Sequence, residues 1–164
     1  MNRDTDYVLL LLEYGAHPDK LHHKISNHNM YNPKLTSLNA AVDYMLGDDN
    51  MYQTVRALLI RGCETENFCL HERYFYGMEQ LINLLYNFGV QVNVNYHGLW
   101  MKDLAGRYST SQRVMLLQGT PRSLLSACRI VIISCLPRPR RDLNVLDHLP
   151  LPSSLIAYLK FCDV

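Results

Sequence analysis

Long hydrophobic runs are missing from this 164-residue chain. The longest early one, Val8 to Leu12, is far too short to cross a bilayer. Net charge is nearly missing too: 16 lysines and arginines stand against 15 carboxylates, a formal charge of +1. No overall field therefore draws the chain to nucleic acid or to a membrane, and neither is expected as a partner. Arg3 is answered by Asp4 and Asp6, so the start lacks the positive region of a secretory leader. The five cysteines (Cys63, Cys69, Cys128, Cys135, Cys162) are odd in number and lack tight spacing. Reduced thiols in the cytoplasm are expected, with the nucleus also compatible, rather than a disulfide scaffold. No GxSxG elbow, glycine-rich phosphate loop or HExxH pair occurs, so no catalytic centre and no cofactor are expected. Metal ligation is not expected either. His22, His23 and His28 have no cysteine or carboxylate beside them at ligand spacing, and Cys63, Cys69 and His71 lack a paired Cys-x-x-Cys.

What is present is a recurring phrase. YVLLLLEYGAHPD, TVRALLIRGCETE and LINLLYNFGVQVN each carry an apolar residue, two more apolar residues three and four positions on, and then glycine. The frames are Val8, Leu11, Leu12, Gly15; Val55, Leu58, Leu59, Gly62; and Ile82, Leu85, Tyr86, Gly89. Positions i, i+3 and i+4 make one helix face, and the glycine supplies a left-handed C-cap. Repetition of a capped amphipathic helix predicts stacked helical repeats. The first frame has no first helix before it, so the chain is expected to begin inside a repeat, as a fragment or short isoform would. Tyr74, Phe75 and Tyr76 fit the core of a first helix better than a set of partner anchors. Trp100, in NYHGLW, fits a hairpin tip or a packing residue equally.

From Arg107 to Arg141 there are seven arginines and no carboxylate. Without an aromatic stacking platform, solvated side chains are a better expectation than a nucleic-acid surface. Within this segment Thr120 reads as an N-cap, with Pro121 at the first helical position of PRSLLSACRIVIISCL. Leu124, Cys128, Ile132 and Cys135 line one face, but Leu125, Ile130, Val131, Ile133 and Leu136 are apolar as well. A helix apolar nearly all round is expected to be buried on more than one side. On propensity alone, RIVII would also suit a strand. Pro137 ends the helix, Asp142 can cap a short helix Leu143 to His148, and Ser153 to Phe161 reads as a closing helix. Between the last two, Pro150 and Pro152 flank Leu151 and force an extended corner.

Two resemblances follow from these residues. TSLNAAV, Thr36 to Val42, resembles the ankyrin signature TPLHxAA, with serine for proline and asparagine for histidine. The glycines are 47 and 27 residues apart, against about 33 in ankyrin repeats, so such a stack would be irregular. SLLSACRIVI, through Ser123, Leu124, Cys128 and Ile132, resembles the elongin-binding motif of the SOCS box. HLPLPSSLIAYL, through Leu149, Pro150, Leu151, Pro152, Leu155, Tyr158 and Leu159, resembles its cullin box. Both motifs in order, behind ankyrin-like repeats, identify the chain as a member of the ankyrin repeat and SOCS box family.

The resemblance implies an all-α chain with ankyrin-like repeats over 1–106, a connector over 107–119 and a three-helix SOCS box over 120–164. It further implies a non-catalytic adaptor of a ubiquitin ligase. Leu124, Leu125, Cys128 and Ile132 would bind elongin C, which binds elongin B. Leu149, Pro150, Leu151 and Pro152 would face a cullin, the fifth paralogue in most such proteins, with its RING protein. The repeats would hold a protein substrate that the sequence does not identify. The linker SCLPRPRRDLNV departs from the family pattern and bears on how the two boxes are placed. The rival reading is an interaction scaffold, or truncated competitor, that binds elongins without building an active ligase.

Overall fold

The computed structural model describes residues 3–19, 36–44, 51–66, 68–71, 78–95, 119–138 and 141–162. Among these the fold is helical. In chain order the helices are α1 (Arg3–Glu13), α2 (Ser37–Tyr44), α3 (Met51–Ile60), α4 (Glu79–Asn87), α5 (Leu124–Ser134), a 3-10 helix (Leu143–His148) and α6 (Ser153–Leu159). One short parallel pair, β1 (Cys69–His71) and β2 (Asn93–Asn95), joins them, with Cys69 opposite Asn93 and His71 opposite Asn95. The sequence gives no alternation that announces these strands. Each follows a glycine-capped helix, β1 after Gly62 and β2 after Gly89.

The three glycines end α1, α3 and α4 in one way. Gly15, Gly62 and Gly89 have φ of 81°, 80° and 79°. Their N–H groups donate to Leu12, Leu59 and Tyr86 at 3.1, 3.1 and 3.0 Å. The following N–H groups, of Ala16, Cys63 and Val90, donate to Leu11, Leu58 and Leu85 at 2.8, 3.1 and 2.9 Å. This is the Schellman closure that a left-handed glycine permits. TSLNAAV opens α2 as expected: the Thr36 hydroxyl accepts from the Asn39 N–H at 3.2 Å. The apolar faces then close on one core. Leu38, Val42, Val55, Leu58, Leu59, Leu81, Ile82, Leu84 and Leu85 are buried in it, each stabilising by roughly 1.5–3 kcal/mol.

The C-terminal segment has a small core of its own, Ile133, Leu146, Leu159 and Phe161, with Leu136 and Leu143 packed against it. Phe88, next to the Gly89 cap, packs against both cores and so joins them. The N-cap of α5 is Ser123, whose hydroxyl accepts from the Ser126 N–H at 3.2 Å, and not Thr120. Helix therefore starts at Leu124, after Pro121 rather than on it. RIVII is helical, its local strand propensity overridden by packing. Asp142 does cap the next element, accepting from the Asn144 N–H at 2.9 Å, though that element is a 3-10 helix.

The last helix ends on an unexpected residue. Phe161 has φ of 58°, and its N–H and that of Cys162 donate to Tyr158 and Ala157 at 3.1 and 3.0 Å. A phenylalanine thus performs the closure that glycine performs in the repeats. Left-handed backbone costs a residue with a Cβ about 1–2 kcal/mol. Burial of the ring returns about 1.5–3 kcal/mol. Its stack on Phe88, with centroids 3.7 Å apart and planes 12° from parallel, adds about 0.5–1.5 kcal/mol. The sum favours the wedge over the strain.

Arginines from the carboxylate-free segment meet the same helix ends. Arg141 donates to the Leu59 carbonyl at 3.3 Å, Arg122 to the Tyr86 carbonyl, and Arg129 to the Tyr158 carbonyl at 3.2 Å. Each of these carbonyls lies three residues before a left-handed residue: Gly62, Gly89 and Phe161. Helix C-termini present orphan carbonyls and partial negative charge, which a guanidinium satisfies. Arg129 and Arg141 are buried, so the expectation of solvated side chains is wrong for both. With no carboxylate nearby in sequence, backbone carbonyls serve as their acceptors.

Between the two cores lies a cavity of about 40 Å³, bordered by Gly62, Cys63, Arg138, Arg141 and Phe161. That is room for water, not for a drug-sized ligand. No helix among the described residues is long and apolar enough to cross a membrane.

Candidate protein-binding site

Helix α5 is sided, and only one side is covered. Arg129 and Ile133 are buried, and Ile130 lies against Gly89, where an added Cβ would meet its Cγ2 at 3.0 Å. Arg129 lies over the Tyr158 ring at 4.0 Å and near the Phe161 ring at 4.5 Å. The other side is open. Leu124 is 80% exposed, Leu125 53%, Val131 61% and Ile132 37%, with Cys128 and Cys135 exposed among them. Among the described residues the helix is thus buried on one side, and the small C-terminal segment does not bury the rest. A second core of four buried residues has only one surface to offer the helix.

All four residues assigned to elongin C by resemblance, Leu124, Leu125, Cys128 and Ile132, fall on this open side. Val131 lies between Cys128 and Cys135 on the same face and was not singled out from sequence. Its position seven residues after Leu124 was the available signal.

The corner after the 3-10 helix is extended, as its prolines require. Leu149 has φ −77° and ψ 141°, and Pro152 has φ −55° and ψ 144°. The Leu151 N–H donates to the Leu149 carbonyl at 2.8 Å, and the Pro152 carbonyl accepts from Leu155 and Ile156 at 2.9 and 3.1 Å, starting α6. Leu149, Pro150, Leu151 and Pro152 are all exposed, and Val145 and Leu155 extend the apolar patch. Tyr158 and Leu159, from the same motif, point the other way, towards Arg129 and the small core. Lys160 bridges to Asp147 at 2.7 Å and ties α6 to the 3-10 helix.

Comparison with known proteins places this arrangement. Residues 120–160 match the family model for the SOCS box. Over 125 residues, 72% of this chain, the sequence is 30% identical to ankyrin repeat and SOCS box protein 5 of Bos taurus. Over 94 residues, 56% of the chain, it is 33% identical to the proteins of that name from Oryctolagus cuniculus and Homo sapiens. The chain belongs to the ankyrin repeat and SOCS box family. It spans 37% of the bovine relative and 28% of the other two. No solved structure matches it significantly. Within the family frame, the matched segment contains both α5 and the proline corner.

Other sequence candidates divide between described and undescribed residues. His22, His23, His28, Tyr74, Phe75, Tyr76 and Trp100 lie outside the described residues. Cys63 is buried, and burial, with Asp19 nearby, pushes its thiol up to about 12, so it stays protonated. Among the described residues no three histidine, cysteine or acidic side chains converge as a metal site. A second apolar stripe, Tyr7, Leu10 and Leu11 on α1 with Tyr14 in the turn after it, is exposed.

Proposed function

We propose that this chain is a non-catalytic substrate receptor of a ubiquitin ligase, joined through elongin C and elongin B to a cullin and its RING protein. The observation that carries the reading is the open side of α5. It is an apolar surface on an otherwise packed helix, made of the residues that the SOCS resemblance assigns to elongin C. Water is a poor neighbour for it, and a folded partner with a matching groove is a good one. The proline corner supports the second contact. Its backbone is fixed before binding, so little ordering entropy is lost when a cullin, the fifth paralogue by resemblance, docks there. The repeats over residues 1–106 would hold a target protein, and the boxes over 120–164 would bring it to a charged conjugating enzyme. The gain is proximity, which turns a bimolecular encounter into an intramolecular one.

Coexpression with elongins B and C tests this directly, read out by copurification and by alkylation of the exposed thiols. Bound elongin C should shield Cys128 from a thiol reagent while Cys162 still reacts. No copurification, or a Cys128 equally reactive in the mixture, would refute the reading. The cullin N-terminal domain added to the copurified complex completes the test: a complex that holds the elongins but no cullin would select a receptor-like competitor instead.

A further inference from the structure

The junction between the repeats and the C-terminal box is held from both sides. From the box, Arg122 donates to the Tyr86 carbonyl at the end of α4 and lies 3.7 Å over the Tyr86 ring. Arg141 donates to Leu59 at the end of α3, and its own N–H donates to the Arg61 carbonyl at 3.1 Å. From the repeats, Arg56 on α3 reaches back to the Phe161 carbonyl at 2.6 Å. The Phe161 ring stacks on Phe88 between them. These contacts lie on the covered side of α5. The open apolar side takes no part in them.

We propose that Phe161, Arg122 and Arg141 are positioning residues that weld the box to the last described repeat helices, so that repeats and box turn as one body. A target held by the repeats would then meet the ligase in one fixed orientation, set before any partner binds. The purpose rests on the ligase-receptor reading; the weld itself does not. Phe161 is the keystone because it serves two needs that conflict. Its backbone would be easier as glycine, as at Gly15, Gly62 and Gly89, while its ring fills the seam. A residue retained only to end α6 would favour glycine.

Amide exchange in the full chain, alone and with elongins B and C, separates these possibilities. The Arg141 N–H is the reporter, because its acceptor, Arg61, lies in the other unit and protection requires docking. Phe161→Gly should accelerate Arg141 exchange about tenfold or more, equivalent to about 1.4 kcal/mol. Phe161→Tyr, which keeps the stacked ring, should restore most of the protection. Elongin capture should be the same in parent and variants, since the open face of α5 is untouched. Exchange in Phe161→Gly as slow as in the parent would show that Phe161 is merely a helix end, and would overturn the weld. If the glycine variant does not fold, Arg122→Ala at the half-exposed rim asks the same question. Faster Arg141 exchange supports the weld and an unchanged rate overturns it. A parent chain that captures no elongin would count against the proposed function and leave the exchange result standing.

Discussion

The two sides of α5 differ in how their demands are met. One side is closed by the chain itself: Ile130 against Gly89, Ile133 in the small core, Arg129 on the end of α6. The other side, from Leu124 to Ile132, has apolar side chains left exposed among the described residues. Apolar character alone does not separate these sides, since isoleucine stands on both: Ile130 and Ile133 on the closed side, Ile132 on the open one. Supply separates them. The box is small, and Phe88 is the bridge by which it joins the larger core. A short segment can therefore be well anchored and still present a large sticky face, provided that the two functions use opposite sides of one helix.

The largest effect should come from the open side. Leu124→Ala with Cys128→Ala removes two central anchors, each worth about 2 kcal/mol as a hot spot. Elongin capture should fall by a hundredfold or more, with the thermal unfolding of the chain unchanged. Capture at parental affinity would break the distinction between the two sides.

Next in size is the closed side. Ile133 is 3% exposed, and Ile133→Ala leaves a cavity in a core too small to refill it. A loss of about 2–4 kcal/mol in stability is expected by chemical denaturation. Elongin affinity per folded molecule should stay within about twofold, a difference under ~0.5 kcal/mol. Equal stability of variant and parent would mean that the small core is not what anchors α5.

Much of this arrangement was legible in the sequence. The glycine frames located three helix ends, and the proline pair located the extended corner, because Gly and Pro act through local backbone sterics. What covers the closed side of α5 was not legible. Its helical wheel is apolar nearly all round, and what covers it is decided by Phe88 and Gly89, some forty residues earlier. Arg129 and Arg141 were misjudged for a related reason. Their acceptors are backbone carbonyls, which every residue carries and no motif marks. Phe161 violates the local preference for glycine at a left-handed position, and only the tertiary stack on Phe88 explains it.

A third test addresses the corner, which is open like the outer side of α5 but rigid by itself. Pro150→Ala with Pro152→Ala restores two backbone donors and lets the corner become helical. The variant should still capture elongins nearly as well as the parent. Titrated against the cullin N-terminal domain as the ternary complex, it should bind at least tenfold more weakly, a loss of about 1.4 kcal/mol. Equal cullin affinity would remove the corner from the contact.

The smallest effect reports on the seam by pH. Cys63 is buried beside it, and burial, more than the neighbouring Asp19, raises its pKa from 9.0 to about 12. The folded state therefore keeps the thiol proton after the unfolded chain has lost it. Stability from this source is full below pH 9 and falls as pH rises through the window towards 12. Arg141 works in the opposite sense higher up, since burial, and then Arg138, lowers its pKa to about 10, so that unfolding takes up a proton above that pH. The thiol therefore leads between pH 9 and 10, with Arg141 entering at the upper end, and comparison with Cys63→Ala isolates the thiol's share. Over that unit the parent should lose about 1 kcal/mol more stability than Cys63→Ala. Parallel pH profiles for the two chains would mean that Cys63 is reached by water, and that the closed side is less closed than its contacts imply.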